Sequence, residues 1–434
     1  MRRLGLSVLI LILLVVSISN MNEMEATEPL LNRQFEISDY TPHAPIVIES
    51  DSDFETQGWT GSGTPQQPYR IENLSIEVQD IQGYCIDIQN VRAHFIVRNC
   101  YLYGTSYRFA LVLRNATNGL IEENICILSG GGVGLYDCWD ISIIDNQCSA
   151  PSDGTGIYLT GSWNTSISYN NCSGNGMQGI SIHSSSNNTV ISNNVCNNND
   201  AAGISVYDCS NVTISNSECN MNLDGIRMDS STKLSYCSVV NNSCDSNTRK
   251  GFDLEQLEFS LIKNNTGSGN AEKMLHLTSS YNVTLSNNTI HGLHLTGTNN
   301  KCIWNAISDA TDMTGGNLYE YNYWSEYAGE DNNGDGIGDT PYEDYNIIDT
   351  HPLMYWPWFP PEPVSTTTTD TSTTTTTSTT STSTSTTATS DTSNTITEPS
   401  PPDTSSFQLL VMYAIGLSTG IVILVIVVLF LKRK

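Results

Sequence analysis

A short internal repeat in the central part of the chain restricts its fold more than any other feature. Apolar residues that open successive units recur at intervals of 22 to 26 residues. Within a unit, short stretches alternate apolar and polar residues, and Asn, Gly and Ser fill the segments between them, which indicates short β-strands joined by turns. A unit of this length cannot enclose a core alone, so the repeat predicts a solenoid of stacked coils. The opening residues are Ile86, Leu111, Val133, Ile157, Ile180, Ile204, Ile226, Phe252 and Leu275.

Cysteine follows the same period. Seven of the twelve cysteines form a predicted column, which Gly267 and Ile290 continue in the last two coils. Because an Ile occupies this position, the column is predicted to face the core, where free Cys acts as a small apolar residue. Disulfide pairs and a metal–thiolate site are the alternatives, although stacked positions about 4.8 Å apart suit a disulfide poorly. The column consists of Cys100, Cys126, Cys148, Cys172, Cys196, Cys219 and Cys244.

Asparagine is the other repeated residue, and it has two interpretations. At the corners of coils Asn tolerates left-handed backbone, and its amide can bond to the Asn residues above and below it. Many of these residues also begin glycosylation sequons, of which the outward-facing ones are available for modification. The sequons begin at Asn73, Asn115, Asn164, Asn171, Asn187, Asn211, Asn241, Asn264, Asn282 and Asn287.

The ends of the chain predict its location. A basic and then apolar start indicates a signal peptide, with an uncleaved anchor as the alternative. A long apolar segment followed by a basic tail indicates one membrane helix with the body outside the cell, a single-pass type I arrangement. The predicted order is 1–19 signal peptide, 20–83 lead-in and cap, 84–310 solenoid, 311–360 C-terminal cap, 361–406 disordered Thr/Ser/Pro stalk, 407–431 membrane helix and 432–434 cytoplasmic tail.

The charge of the chain excludes one class of partner. The formal net charge is -27, and only 18 of 434 residues are Lys or Arg. Affinity for a phosphate backbone comes largely from such cations, so nucleic acid is not an expected partner.

Three passages carry a resemblance to a known family, namely a lead-in at 46–74, the repeat GISIHSSSNNTVISNN at 179–194, and the closing segment NYWSEYAGEDNNGDGIGDTPY at 322–342. They resemble the NosD-like right-handed parallel β-helix proteins. The resemblance implies an all-β, pectin lyase-like fold of about nine or more right-handed coils with a cap at each end. It also implies membership of the carbohydrate-binding and sugar-hydrolase β-helix superfamily, in the form common on archaeal surfaces.

The family name implies copper, but few soft ligands accompany it in this sequence. His291 and His294 are three residues apart, and Cys302 and His276 are the other candidates. A methionine-rich or repeated Cys-x-x-Cys pattern is missing from the sequence, so we do not expect copper.

The closing segment contains oxygen ligands at alternate positions, as in the first part of an EF-hand loop. Gly336 supplies a sharp turn, and Tyr342 replaces the usual bidentate Glu. The pattern predicts a structural Ca²⁺ site, with a metal-free Asp/Gly-rich turn as the alternative. The predicted ligands are Asp331, Asn333, Asp335, the carbonyl of Ile337, and Asp339.

Alternation along the strands predicts two outward columns of polar side chains. One contains Asp87, Tyr158, Ser181, Ser205, Arg227, Asp253 and His276, and the next contains His183, Tyr207, Asp229 and Glu255. Candidate ligand-binding residues are Tyr158, His183, Tyr207, Arg227, Asp253 and His276. Candidate catalytic residues are Arg227, Asp229, Asp253 and Glu255, for glycoside hydrolysis or uronate elimination.

We find no lyase or polygalacturonase motif in the sequence. The favoured function is therefore a non-catalytic cell-surface module that binds glycans or surface-layer proteins. A surface-anchored polysaccharide lyase or glycoside hydrolase is the first alternative, and a copper-associated periplasmic protein is the second.

Overall fold

A computed structural model describes residues 40–78, 83–104, 108–127, 130–150 and 153–356. These residues form an all-β solenoid of about nine turns, with one short helix, α1 (Asp51–Thr56), near its start. Strands of successive coils pair in parallel and build three long faces, which we call sheets 1, 2 and 3. None of the helices in this described part is long and apolar enough to cross a membrane. The predicted signal peptide, stalk and membrane helix lie outside the described residues.

Each coil contributes short strands to these faces. Sheet 1 contains Ile46–Ile48, Ile86–Gln89, Phe109–Arg114, Gly131–Tyr136, Thr155–Thr160, Ile180–His183, Ala202–Tyr207, Asp224–Asp229, Leu234–Ser235, Phe252–Glu255, Leu257–Glu258, Leu275–Tyr281, Leu293–Thr298 and Ala310–Asp312. Sheet 2 contains Tyr69–Glu72, Phe95–Arg98, Gly119–Glu122, Ser142–Ile144, Ser166–Ser168, Val190–Ser192, Thr213–Ser215, Ser238–Val240, Leu261–Lys263, Thr284–Ser286, Lys301–Ile303, Leu318–Glu320, Tyr342–Asp344 and Ile347–Asp349. Sheet 3 contains Thr41–Pro42, Leu74–Glu77, Tyr101–Tyr103, Ile125–Ile127 and Gln147–Ser149, then single bridges, then Thr289–Ile290, Ala306–Ile307 and Tyr323–Trp324.

The predicted register is confirmed. All nine opening residues pair directly with their counterparts in the next coil, from Ile86 with Leu111 to Phe252 with Leu275. The ladder also extends to Ile46 before them and to Leu293 and Ala310 after them. Each of these apolar side chains therefore packs on its own counterpart, which is how a short repeat builds a continuous core.

The cysteine column differs from the prediction at its first member. Leu102, not Cys100, pairs with Cys126, and Cys148 follows in register. Cys100 lies two residues earlier, where its N–H donates to the Asn124 side chain at 3.0 Å. The spacing explains the error: 26 residues separate Cys100 from Cys126, whereas 24 separate Leu102 from it.

All twelve cysteines are free and buried. In the column, burial raises the pKa of Cys172, Cys196 and Cys244 well above the usual range of a thiol. These thiols are therefore protonated at neutral pH and act as small apolar groups that fill the core.

Asparagine has two structural roles, as one of its two interpretations predicted. At the coil corners it adopts positive φ, for example 58° at Asn241 and 55° at Asn264. One residue later, buried Asn side chains form a ladder in which each amide bonds the next coil. The ladder contains Asn124, Asn146, Asn170, Asn194, Asn242, Asn265, Asn288, Asn305 and Asn322, with Ser217 in one place.

Both ends of the solenoid are covered by aromatic side chains. At the start, Phe54 of α1 stacks on Tyr69 with ring centroids 4.6 Å apart. At the end, Trp324 stacks on Tyr342 at 4.2 Å. The Asp349 carboxylate accepts hydrogen bonds from the Asn322 backbone and side chain and from the Trp324 indole, so it ends the Asn ladder. Covered ends prevent the terminal strands from pairing with other chains.

Candidate functional site

The two predicted polar columns lie side by side on sheet 1, and we call them together the strip. In the first column Tyr158, Ser181, Ser205, Arg227, Asp253 and His276 pair in that order. Val112 and Gly134 occupy the coils between Asp87 and Tyr158. In the second column His183 pairs with Tyr207, and Tyr207 pairs with Asp229. Glu255 follows two residues after Asp253 on the same strand.

The N-terminal part of the strip is a continuous row of aromatic rings, which we call the aromatic half. Ring centroids are 5.8 Å apart for Tyr136 and Tyr158, 5.4 Å for Tyr158 and His183, and 5.9 Å for His183 and Tyr207. Phe109 also stacks on Tyr158, at 6.0 Å. Sequence reasoning missed Phe109 and Tyr136, although Tyr136 pairs with Thr160 and Thr160 with His183, which places it in the second column.

A groove of about 250 Å³ opens where the aromatic row ends. It is lined by Gln178, His183, Ser205, Tyr207, Leu223, Asp224, Arg227 and Asp229 among others. His183 contacts the Ser181 hydroxyl at 2.9 Å, and burial lowers the pKa of His183, so its imidazole is uncharged at neutral pH. Arg227 and Asp229, which lie on one strand and line the groove, form an ion pair at 3.4 Å. The groove thus combines aromatic surface with hydrogen-bonding groups.

The C-terminal part of the strip, the charged half, is organised around Asp253. This residue is only 1% exposed. Its Oδ1 atom accepts hydrogen bonds from Lys250 Nζ at 2.9 Å and His276 Nδ1 at 2.8 Å. Burial alone would raise the pKa of Asp253, but Lys250 and His276 outweigh it and hold the pKa below its usual range. Lys250 was missed by sequence reasoning because it lies in the turn before the strand.

A second carboxylate, Asp224, lies beside this centre. Arg249 bridges the two, with Nε 3.5 Å from Asp224 and Nη2 3.6 Å from Asp253. Burial raises the pKa of Asp224, so the two carboxylates shift in opposite directions.

Three side chains of the charged half come close enough to share a cation. Ligand atoms of Asp253, Glu255 and His276 lie within 4.8 Å of one another. The His276 ring also stacks on His294, with centroids 4.9 Å apart. Of the four catalytic candidates, Arg227 pairs with Asp229, while Asp253 is held by Lys250 and His276.

The predicted calcium loop lies in the C-terminal cap. Asp331 accepts hydrogen bonds from the backbone of Gly334 at 2.7 Å and Gly336 at 2.9 Å. Asp335 accepts one from Ile337, and Asp339 accepts one from Asn332 at 2.6 Å. The carboxylates therefore organise the turn itself. The Asn333 Oδ1 atom also accepts a hydrogen bond from the Asp335 backbone N–H at 2.9 Å. The Ca²⁺ site stays a prediction.

Comparisons with known proteins agree with the fold. Residues 84–234 match a family described as right handed beta helix region, and residues 191–329 match one described as periplasmic copper-binding protein (NosD). A search of curated proteins finds no match.

Several solved structures are similar in fold. The A-module of mannuronan C-5 epimerase AlgE6 from Azotobacter vinelandii is 12% identical, with 58% of this chain and 88% of that chain covered and a TM-score of 0.37. The periplasmic alginate epimerase AlgG is 14% identical, with 65% of this chain and 85% of that chain covered and a TM-score of 0.37. An alginate lyase from Paenibacillus sp. str. FPU-7 is 12% identical, with 64% of this chain and 97% of that chain covered and a TM-score of 0.35. Similarity at this level does not extend to a site or an activity. Two overlapping parts of the chain, which together span residues 84–329, therefore match a right-handed β-helix model and a NosD model.

Proposed function

We propose that this protein is a non-catalytic cell-surface module that binds glycans along the strip. The observation that carries the proposal is the row of rings from Tyr136 to Tyr207 that leads into the groove beside Arg227. The row runs across successive coils, parallel to the axis of the solenoid. An extended ligand made of repeated units fits such a surface better than a compact one does.

The chemistry of the strip suits sugars. Aromatic faces give the apolar C–H face of a sugar ring a packing surface at a low cost in side-chain entropy. The paired Arg227 and Asp229 side chains offer a donor and an acceptor for neighbouring hydroxyl groups. Because Tyr136, Tyr158 and Tyr207 are all half-buried, little further ordering is needed on binding.

The test is affinity electrophoresis of the full chain in mild detergent, in gels that contain single polysaccharides. Replacing Tyr207 by Ala removes the ring at the mouth of the groove and should weaken binding about tenfold. Tyr236→Ala is the matched control, since Tyr236 is an aromatic residue outside the strip that is 66% exposed. Equal effects of the two substitutions, or no retardation in any gel, would refute glycan binding by the strip.

A surface-anchored polysaccharide lyase or hydrolase is the second candidate. The observation that favours it is the buried Asp253 carboxylate, which contacts His276 Nδ1 at 2.8 Å and so orients the imidazole ring. Opposite pKa shifts of Asp224 and Asp253 also suit separate acid and base roles. New reducing ends or unsaturated uronates formed by the full chain, and abolished by Asp253→Ala or Arg227→Ala, would favour the enzyme over the binding module.

The surface location is part of the proposal. It rests on the apolar segment at 407–431, the basic tail at 432–434, the Ser/Thr-rich stalk at 361–406 and the signal-like start at 1–19. Surface-layer proteins are the alternative partners. Protease treatment of whole cells that releases the body tests this arrangement, and a body that resists release would contradict it.

A soft Cu(I) site does not fit the residues that are present, although the NosD description names copper. All twelve cysteines are buried in the core, so no thiolate of the chain reaches the surface. Among the described residues, the group whose ligand atoms converge contains two carboxylates and one imidazole, from Asp253, Glu255 and His276. Such a set is harder than the thiolate and thioether ligands that Cu(I) prefers. A structural Ca²⁺ in the loop at 331–339 remains part of the proposal.

A further inference from the structure

We propose that the strip selects uncharged glycans and rejects polyuronates. This inference rests on the proposed glycan-binding function and names the class of ligand. It depends on how the charges of the charged half are paired.

Each cation of the charged half already has a carboxylate partner. Arg227 pairs with Asp229 at 3.4 Å, and Lys250 pairs with Asp253 at 2.9 Å. Arg249 lies between Asp224 and Asp253, and Lys273 pairs with Asp309. A sugar carboxylate would have to displace one of these internal partners before it could bind a cation.

Carboxylates also outnumber Lys and Arg side chains in this half of the strip and in the turns beside it. Arg227, Arg249, Lys250 and Lys273 stand against Asp224, Asp229, Asp253, Glu255, Glu272 and Asp309. Glu255 is half-buried and has no ion-pair partner among the residues that the structure describes. A uronate placed near Glu255 would meet a like charge within a partly desolvated site, where repulsion is only weakly screened.

Two of the neighbouring imidazoles, His183 and His294, add no positive charge to the strip. Burial lowers the pKa of His183 at the groove and of His294 beyond His276. Both rings are therefore uncharged at neutral pH and offer aromatic surface instead of positive charge. The net charge of -27 over the whole chain adds long-range repulsion of any polyanion.

A neutral sugar avoids these costs. Its hydroxyl groups can donate to Asp229 and accept from Arg227 while that ion pair stays formed. The sugar rings then pack on Tyr158, His183 and Tyr207, which requires no charge at all.

The experiment compares hexasaccharides with hexauronates of the same gluco, manno or galacto configuration, so that each pair differs only at C6. Binding to the full chain in mild detergent is measured by calorimetry at low and physiological salt. The neutral member of at least one pair should bind more tightly, and the difference should narrow as salt screens the repulsion. Tyr207→Ala should weaken that binding.

Substitutions of single carboxylates test the electrostatic reason. Asp229→Asn frees Arg227 and Glu255→Gln removes the unpaired charge, and each should raise affinity for the hexauronate roughly two- to fivefold. Glu258→Gln is the matched control, because Glu258 belongs to neither column of the strip, pairs with Lys233, and the substitution removes the same charge from the chain. It should leave the discrimination unchanged.

The outcomes separate the two proposals. Hexauronates that bind as tightly as the neutral sugars, with Tyr207→Ala weakening both, would overturn the inference and leave glycan binding intact. An equal gain from Glu258→Gln would also overturn it, since the effect would then come from total charge. No binding of any hexamer would overturn the proposed function and the inference with it.

Discussion

Replacing Asn170 by Ala tests how much the buried amide ladder contributes to stability. The Asn170 Oδ1 atom accepts hydrogen bonds from the backbone and side-chain nitrogens of Asn146, both at 2.9 Å. Its Nδ2 atom donates to the carbonyls of Ile143 and Ser168 at 3.0 Å and to Asn194. Alanine leaves the Asn146 backbone N–H without a partner inside the core, whereas the Asn146 side chain still donates to the carbonyls of Ile121 and Ile144. The expected loss in the free energy of unfolding is therefore about 1 to 3 kcal/mol.

The chain supplies its own control for this substitution. Ser217 occupies the same ladder position in a later coil, where its hydroxyl accepts from the Asn194 backbone at 3.3 Å. Asn170→Ser should therefore keep an acceptor for the Asn146 backbone N–H and cost clearly less than Asn170→Ala. Urea unfolding measures the free energies, and hydrogen exchange at the Asn146 amide locates the change. A loss below about 1 kcal/mol for Ala, or equal losses for Ala and Ser, would refute the reasoning.

Three further predictions concern the thiols, the acid limb of stability and the cap. A thiol reagent should leave all twelve buried cysteines unmodified in the native chain and titrate all of them after denaturation, whereas fewer reactive thiols would indicate disulfides. The pKa of Asp253 is lowered in the folded chain, so its stabilising contribution is present above the unfolded pKa of about 4 and is lost as pH falls through the folded value. Asp253→Asn should therefore flatten the acid limb of a plot of unfolding free energy against pH. Removing Ca²⁺ with a chelator should lower the melting temperature of the native chain but not that of Asp331→Asn, and equal responses would exclude a metal in the loop.

The sequence was sufficient to predict the solenoid because one period of 22 to 26 residues controls the coils from Ile86 to Leu275. Residues such as Ile180 and Ile204 must pack on each other whatever fills the turns, so their spacing fixes the register. The spacing between repeated residues does not predict the register where the length of a turn changes inside a coil. Cys100 and Leu102 are both apolar and two residues apart, so both point to the same side of a strand, and only the pairing with Cys126 distinguishes them.

The candidate site was only partly predictable for a related reason. Alternation placed Arg227 and Asp253 in the same column, since both lie within regular strands. It could not show that Lys250 reaches Asp253, because a long flexible side chain from a turn follows no period. Nor could it show that Asp253 is buried, since that depends on the neighbouring cations that cover the carboxylate.

Three sequons in successive coils show how the fold itself generates glycosylation motifs. Asn241, Asn264 and Asn287 lie at left-handed corners, with φ of 58°, 55° and 55°. The next residue in each coil is a buried Asn of the ladder, and the third is a Ser or Thr that enters sheet 3. In these three coils the corner, the ladder and the strand carry Asn, Asn and Ser or Thr in that order, which is the sequon pattern. These three sequons therefore follow from coil geometry, and modification depends separately on whether each corner side chain is exposed, as these three are.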